Sequence, residues 1–345
     1  MRPRRVSLWL LQAAILMAGS GAVSAASPSA CPVSWMEGGW GVSTHYFPLS
    51  KDYVARVADN IDASAVAHQA AQAGARWFLF TLHHQNWLLM APNRTFARIV
   101  GSDSFASRRD VPRDLIKELG KVGIRPMLYV NLRLDADSGA DPVVRAAMGG
   151  WPPNDRLVAN IAAVYREFSL RYGTGIAGWW VDSAGMPGYV DAPSREKWYS
   201  TIAAALRAGN PKALVAFSPG LEVSRYSGEN DFTAGESNDL SSVPQEGRCV
   251  EGVQWHSWTY LGGWWGADGT RFSDAQLCRY MANAIKPGGA VTFEIGTWGV
   301  TRQGLAGANA PARVGGKADA AQVSQLERLG RKLRSNSYDA AACES

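Results

Sequence analysis

The run Gly178-Trp-Trp-Val-Asp182-Ser ends an apolar stretch on a carboxylate. Burying an unpaired carboxylate is costly, so an acid in this setting needs either a strong partner or a chemical purpose. One purpose is nucleophilic attack at the anomeric carbon of a sugar, with a second carboxyl about 5 Å away as acid/base. The flanking indoles, Trp179 and Trp180, suit stacking on the apolar side of a sugar ring. The plainer alternative is a buried acid inside a structural hydrogen-bond network.

Three acids compete for the second carboxyl. Glu236, in Asp231-Phe-Thr-Ala-Gly-Glu236-Ser, sits where an apolar run stops. Asp268 lies close behind Trp264 and Trp265, whose apolar bulk would push a carboxyl up toward working pH. Glu251 precedes another strand-like run and could equally form a structural ion pair. Glu294 is read as structural. Of the five histidines, His45, His83, His84 and His256 fall at or near strand-like runs, while His68 lies within a helical stretch. An imidazole both donates and accepts, so a ring of them can select sugar hydroxyls by position.

Groups this far apart in sequence need a scaffold that gathers them. Short, nearly continuous apolar runs are expected as strands over 39–45, 77–82, 125–130, 177–181, 213–217, 232–236, 252–257 and 290–295, the look of strands buried on both faces. Helical patterns alternate with them over 62–73, 112–122, 154–172, 195–208, 274–285 and 320–333, several ending at a glycine. Eight strands interleaved with helices predict a parallel sheet with right-handed crossovers, closed at this length into a (β/α)₈ barrel. Barrel chemistry collects at the C-terminal ends of strands, which is where Asp182, Glu236 and the rim histidines are expected. No GxGxxG follows the first strand. The Gly/Ala-rich segment 296–317 is expected as a long loop over the mouth.

The N-terminus predicts the compartment. A basic Met1-Arg-Pro-Arg-Arg5, an apolar stretch to Met17 and a small-residue Ala22-Val-Ser-Ala-Ala26 form the three parts of a secretory signal peptide, too short to span a bilayer. Residues 27–345 are then one catalytic domain, secreted or periplasmic. Removing the leader lowers Lys+Arg from 35 to 32 against 30 Asp+Glu, a net charge of +2 rather than +5. With no Lys/Arg cluster to track phosphates, nucleic acid is excluded as a partner. No later segment is a membrane span. Cys31, Cys249, Cys278 and Cys343 predict two disulfides, with Cys249–Cys278 and Cys31–Cys343 the preferred pairing. No cysteine has zinc-ligand spacing, and neither a metal nor a cofactor is implied.

Several segments, taken in order, resemble glycoside hydrolase family 29, the α-L-fucosidases. Gly41-Val-Ser-Thr-His45-Tyr-Phe-Pro-Leu-Ser50 is similar to that family's first-strand motif, Gly-Leu-Phe-x-His-Trp-Gly-x-Tyr-Ser. Ala73-Gly-Ala-Arg-Trp-Phe-Leu-Phe-Thr-Leu-His83-His84 resembles its second strand with paired histidines. Arg109-Asp110, Asp114-Leu115 and Gly123-Ile-Arg-Pro-Met-Leu-Tyr129 match its next helix and strand, and Tyr172-Gly173 leads into the segment ending at Asp182. The resemblance covers roughly residues 35–185. It implies a retaining exo-glycosidase in which Asp182 forms the covalent intermediate, His45, His83 and His84 bind sugar hydroxyls, and Tyr129 and Trp180 line the pocket. His256 joins them as a substrate-binding candidate. The chain departs from the pattern at Tyr46-Phe47, at Gln85 in place of an acid, and in having no C-terminal β-sandwich. The implied partner is an oligosaccharide or glycoconjugate. Two other readings remain: a retaining glycosidase for a galactose- or arabinose-like sugar, and a secreted, catalytically silent carbohydrate-binding barrel.

Overall fold

The computed structural model describes residues 31, 35–46, 50–297 and 316–344. The expected leader, residues 47–49 of the first-strand motif and most of the Gly/Ala-rich mouth loop lie outside the described residues. Eight strands run parallel in one curled sheet: β1 (Gly39–Thr44), β2 (Trp77–Thr81), β3 (Arg125–Asn131), β4 (Gly178–Asp182), β5 (Leu214–Phe217), β6 (Gly235–Glu236), β9 (His256–Tyr260) and β10 (Ala290–Glu294). A separate antiparallel hairpin, β7 (Cys249–Val250) with β8 (Val253–Gln254), precedes β9. The order across the sheet is β5-β4-β3-β2-β1-β10-β9-β6.

The closed barrel expected from the sequence is met only in part: the sheet curls, but its ladder is open between β5 and β6. β6 is only two residues long. Its seam with β5 is spanned by a single Gly220–Gly235 bridge, by the Asp231 N–H on the Val215 carbonyl at 2.9 Å, and by the Val215 N–H on Asp231 Oδ2 at 2.8 Å. Gly235 is required there, because a Cβ would stand 2.2 Å from the Glu222 carbonyl oxygen.

Helices cover the outer face: α1 (Lys51–Asn60), α2 (Ala63–Gln72), α3 (Arg94–Val100), α4 (Val111–Lys121), α5 (Pro142–Met148), α6 (Asp155–Tyr172), α7 (Arg195–Leu206), α8 (Asp274–Ile285) and the helix Ala320–Ser335. Local sequence explains their ends. Asn154 caps α6 by accepting from the Leu157 N–H, and Gly173 stops it; Ser273 and Gln276 form a capping box on α8. No described helix is long and apolar enough to cross a membrane.

Strand alternation divides the apolar residues into two cores. On β4, Trp179 and Val181 face the helices, whereas Trp180 and Asp182 face the interior of the curl. The interior core holds Trp77, Met127, Tyr129, Trp180 and Trp258. Its density depends on Gly41, where a Cβ would meet the Trp77 indole at 2.1 Å.

The disulfides pair differently from the preferred assignment. Cys31 bonds Cys249, and Cys278 bonds Cys343. Cys31 lies against the β7–β8 hairpin, where the Arg248 guanidinium donates to its carbonyl at 3.0 Å. Cys278 is buried on α8 under the C-terminal turn Ala340–Glu344, which is also held by Arg279 on Glu344 at 2.8 Å. Cys249 and Cys278 thus belong to different elements, each facing its own chain terminus.

Candidate active site

β3 and β4 place the central carboxylate. Their register sets Asn131 beside Asp182 and Tyr129 beside Trp180, so Tyr129, Asn131 and Asp182 share one face at the strand ends. The Tyr129 hydroxyl donates to Asp182 Oδ2 at 2.5 Å, and the Asn131 amide donates to the same oxygen at 2.9 Å. Asp182 Oδ1 accepts from the Ser183 N–H at 2.5 Å, with Ser183 in the left-handed region at φ +63°. The Asn131 side chain is fixed in turn, its Oδ1 accepting from the Arg133 N–H at 2.8 Å. Burial, then the Asp182 charge, pushes the Tyr129 phenol well above its ordinary value, so it remains a donor.

Glu236, at the end of β6, is the second carboxyl. Burial first, and then the nearby Asp182 charge, raise it from 4.5 to about 7, against a smaller opposing pull from His45 and from the Asn238 amide, which donates to Oε2 at 3.0 Å. Two carboxyls in one electrostatic neighbourhood therefore have opposite surroundings, one rich in donors and one poorly solvated.

His45 follows β1 and is 4% exposed. Its ring lies parallel to Trp258, with centroids 4.9 Å apart and an 11° interplanar angle, and meets Tyr129, Trp265 and His84 edge-on. His84 stacks on Tyr129 at 5.7 Å and 5°. Burial, and then the charges of His45, His83 and Arg133, hold His84 well below the usual imidazole value. His45, His84, Tyr129, Asp182 and Glu236 thus form one neighbourhood, with Trp180 a layer below, packed edge-on against Trp258 at 4.9 Å.

Other candidates are placed elsewhere. His83 points away from this neighbourhood into the helix layer: its Nε2 is 3.1 Å from the Tyr165 hydroxyl on α6 and its ring packs on Trp87 at 4.4 Å. Adjacent residues leaving a strand face opposite sides, and burial there lowers His83 to about 4. His256 opens β9 rather than ending a strand. It pairs with Ala290, the first residue of β10, and its ring bonds Thr292 Oγ1 at 2.8 Å in the interior core, where burial lowers it to about 3. The expected strand 252–257 is displaced because Glu251 and Gly252, both at positive φ, turn the β7–β8 hairpin. Glu251 is exposed on that hairpin turn, before β9 begins, and accepts from the Arg225 N–H. Asp268 lies half-buried on the loop after β9, its carboxylate against the Gly296 backbone.

Sequence reasoning missed Asn131 and Trp258, and read Trp265 only as a neighbour of Asp268, whereas its ring packs edge-on against His45 and Trp258. Asn131 was legible as a polar residue two beyond Tyr129, hence on the same strand face. Among the described residues no group of three or more His, Cys, Asp or Glu side chains is arranged to hold a metal ion.

No protein-family model matches the chain, and a search of curated proteins finds no match. Solved structures do match. Endo-fucoidan hydrolase MfFcnA4 from glycoside hydrolase family 107 superposes with a TM-score of 0.66 at 18% identity, over 87% of this chain and 53% of that one. The fold is shared with fucose-acting glycoside hydrolases. Endo-fucoidan hydrolase P5AFcnA, also from family 107, matches at TM-score 0.65 and 16% identity over 89% of this chain and 94% of its own. The α-L-fucosidase isoenzyme 1 from Paenibacillus thiaminolyticus matches at 0.60 and 17%, over 88% and 75%. The chain spans about half the length of MfFcnA4. An α-L-fucosidase of family 29 from Bacteroides thetaiotaomicron matches at 0.58 and 13%, over 86% and 72%, so the resemblance to family 29 is met at the level of a fold that family 107 also has, and is not specific to family 29.

Proposed function

We propose that this chain is a retaining glycosidase that hydrolyses α-L-fucosyl linkages. Asp182, as carboxylate, attacks the anomeric carbon while Glu236 gives its proton to the departing glycosidic oxygen. Glu236, now ionised, takes a proton from water as that water displaces Asp182, which leaves with its electron pair. The observation that carries this reading is the contrast between the carboxyls: Asp182 accepts from Tyr129, Asn131 and the Ser183 N–H, while Glu236 is raised to about 7 by burial and by Asp182. A glycosidase of this type needs one carboxyl ionised and its neighbour protonated near neutral pH. His45 and His84 would contact the sugar, with Trp258 and Trp180 beneath. The scaffold we infer is a barrel-like domain over residues 27–345, exported by the leader at 1–26.

The favoured mode is removal of a terminal fucosyl residue. A second mode, cleavage inside a fucose-rich polysaccharide, is favoured by the likeness to endo-fucoidan hydrolases. The deciding test uses purified protein with an activated aryl α-L-fucoside and with a fucan. Asp182→Gly should lower fucoside turnover by several orders of magnitude, and azide should restore part of it as the β-fucosyl azide, formed by direct displacement from the face Asp182 vacates. Undiminished turnover in Asp182→Gly would exclude the nucleophile role. Release of oligosaccharides but no fucose from the polysaccharide would select the second mode.

A further inference from the structure

Glu236 gives its proton to the departing glycosidic oxygen, so the departing unit lies on the side of the site that Glu236 occupies. The strand flanking Glu236 there is β9, whose Trp258 is its register partner. Alternation puts Trp258 and Tyr260 on the same face of β9, with Tyr260 at the strand's outer end. The loop that follows brings Trp264 back onto the Tyr260 ring at 5.7 Å. Trp258, Trp265, Tyr260 and Trp264 therefore form an unbroken run of rings, with successive centroids 4.7, 5.0 and 5.7 Å apart. It starts beside His45 and ends at the surface. Trp264 is 38% exposed, and among the described residues it is the only exposed aromatic side chain.

A lone exposed apolar side chain needs no explanation, and Trp264 could simply cover Tyr260. Tyr260, however, has other cover: the Arg271 guanidinium lies 3.8 Å from its ring centre, and Trp265 packs on it as well. The loop is also built to hold its shape. The Ala267 N–H donates to the Trp264 carbonyl at 3.0 Å, and the Arg271 N–H donates to the Leu261 carbonyl at 2.9 Å. The Gln322 amide donates to the Ala267 carbonyl at 2.9 Å, and a Cβ on Gly262 would stand 2.0 Å from that same oxygen. Arg271 ties this loop to the acid as well. Its guanidinium donates to the carbonyl of Asn238, the residue whose amide donates to Glu236. An exposed indole is thus held in a fixed relation to the proton donor.

We propose that Trp264 is the platform for the saccharide unit on the leaving side of the cleaved bond. The substrate is then an oligosaccharide or polysaccharide whose next pyranose lays its C–H face on this indole, as aromatic faces favour. The proposal rests on the roles given above to Asp182 and Glu236, because they define which side is the leaving side.

The test compares two kinds of substrate that share the fucosyl unit. In α-L-fucosyl fluoride the leaving group is a single atom, too small to reach Trp264. In α-L-fucosyl disaccharides ending in L-fucose, D-galactose or N-acetylglucosamine it is a pyranose. For the disaccharide that the parent cleaves fastest, Trp264→Ala should lower kcat/KM about tenfold more than it does for the fluoride, chiefly through KM. Trp264→Phe keeps an aromatic face and should recover most of that loss. Equal losses on both substrates, or a phenylalanine variant no better than alanine, overturns the platform. Turnover of the fluoride by the parent with no turnover of any disaccharide overturns the platform alone and leaves the proposed function standing. If the parent hydrolyses neither, the proposed function fails and the platform falls with it.

Discussion

The Tyr129 hydroxyl donates to Asp182 across 2.5 Å, from the strand next to the one that carries the carboxylate. The adjacent Asn131 amide bonds both partners, at 2.9 Å to each oxygen. Three side chains are thus locked by β3–β4 register alone. In Tyr129→Phe the ring still packs beneath His84, but Asp182 loses its shortest side-chain hydrogen bond. Losing a hydrogen bond to a charged group costs about 1.5–3 kcal/mol, so kcat/KM on an aryl fucoside should fall about 10–100-fold with little change in melting temperature. Parent-like kinetics would remove Tyr129 from the reaction.

The paired histidines should separate cleanly by experiment. His84 stacks on Tyr129, so His84→Ala should weaken fucoside turnover about tenfold or more and leave the protein folded. His83 bonds Tyr165, whose hydroxyl donates to the Asn131 carbonyl at 2.8 Å. His83→Phe fills the same space and leaves Tyr165 short of one partner, a cost of about 1–3 kcal/mol in stability. Its thermal midpoint should drop while kcat/KM of the folded enzyme stays within about threefold. The opposite pattern would place His83 in the site after all.

What was legible in the sequence was legible for physical reasons. Asp182 stood out because a carboxylate closing an apolar strand has few inexpensive explanations, and Glu236 because it stops an apolar run. Strand parity, by contrast, needs the right starting residue. His83 could not be placed on a face until β2 was known to end at Thr81. His256 was put at the rim because the Glu251–Gly252 turn was not recognised, and the same displacement hid Trp258, two residues further along β9. Glu294 was read as structural from its position alone. The His45 N–H reaches its carboxylate through β1–β10 register, which no local pattern encodes.

Disulfide connectivity was open to the same error, since four cysteines allow three pairings and sequence distance does not choose among them. Peptide mapping without reduction should recover Cys31–Cys249 and Cys278–Cys343. The second bridge closes a separation of 65 residues between α8 and the C-terminal turn. Breaking it in Cys278→Ser/Cys343→Ser should cost about 2–4 kcal/mol of stability while fucoside turnover by the folded enzyme persists, because neither residue adjoins the site. Recovery of a Cys31–Cys343 peptide would refute this connectivity.

Glu236 should give the enzyme both its alkaline limit and a stability cost. As the proton donor it works below about 7, so kcat/KM should fall as pH rises through that value, and the limb should vanish in Glu236→Gln, where only substrates with good leaving groups still react. The same carboxyl has its folded value raised from 4.5 to about 7. A group raised on folding binds its proton more tightly in the folded state, so its contribution is fully present below 4.5 and is lost as pH rises toward and through 7. A gap of that size corresponds to about 3 kcal/mol, at 1.36 kcal/mol per unit. Glutamine is neutral throughout, so Glu236→Gln should match the parent's melting temperature near pH 4.5 and exceed it by several degrees at pH 8. An equal offset at both pH values would mean that Glu236 does not bind its proton more tightly in the folded protein, and the acid role would lose its electrostatic basis.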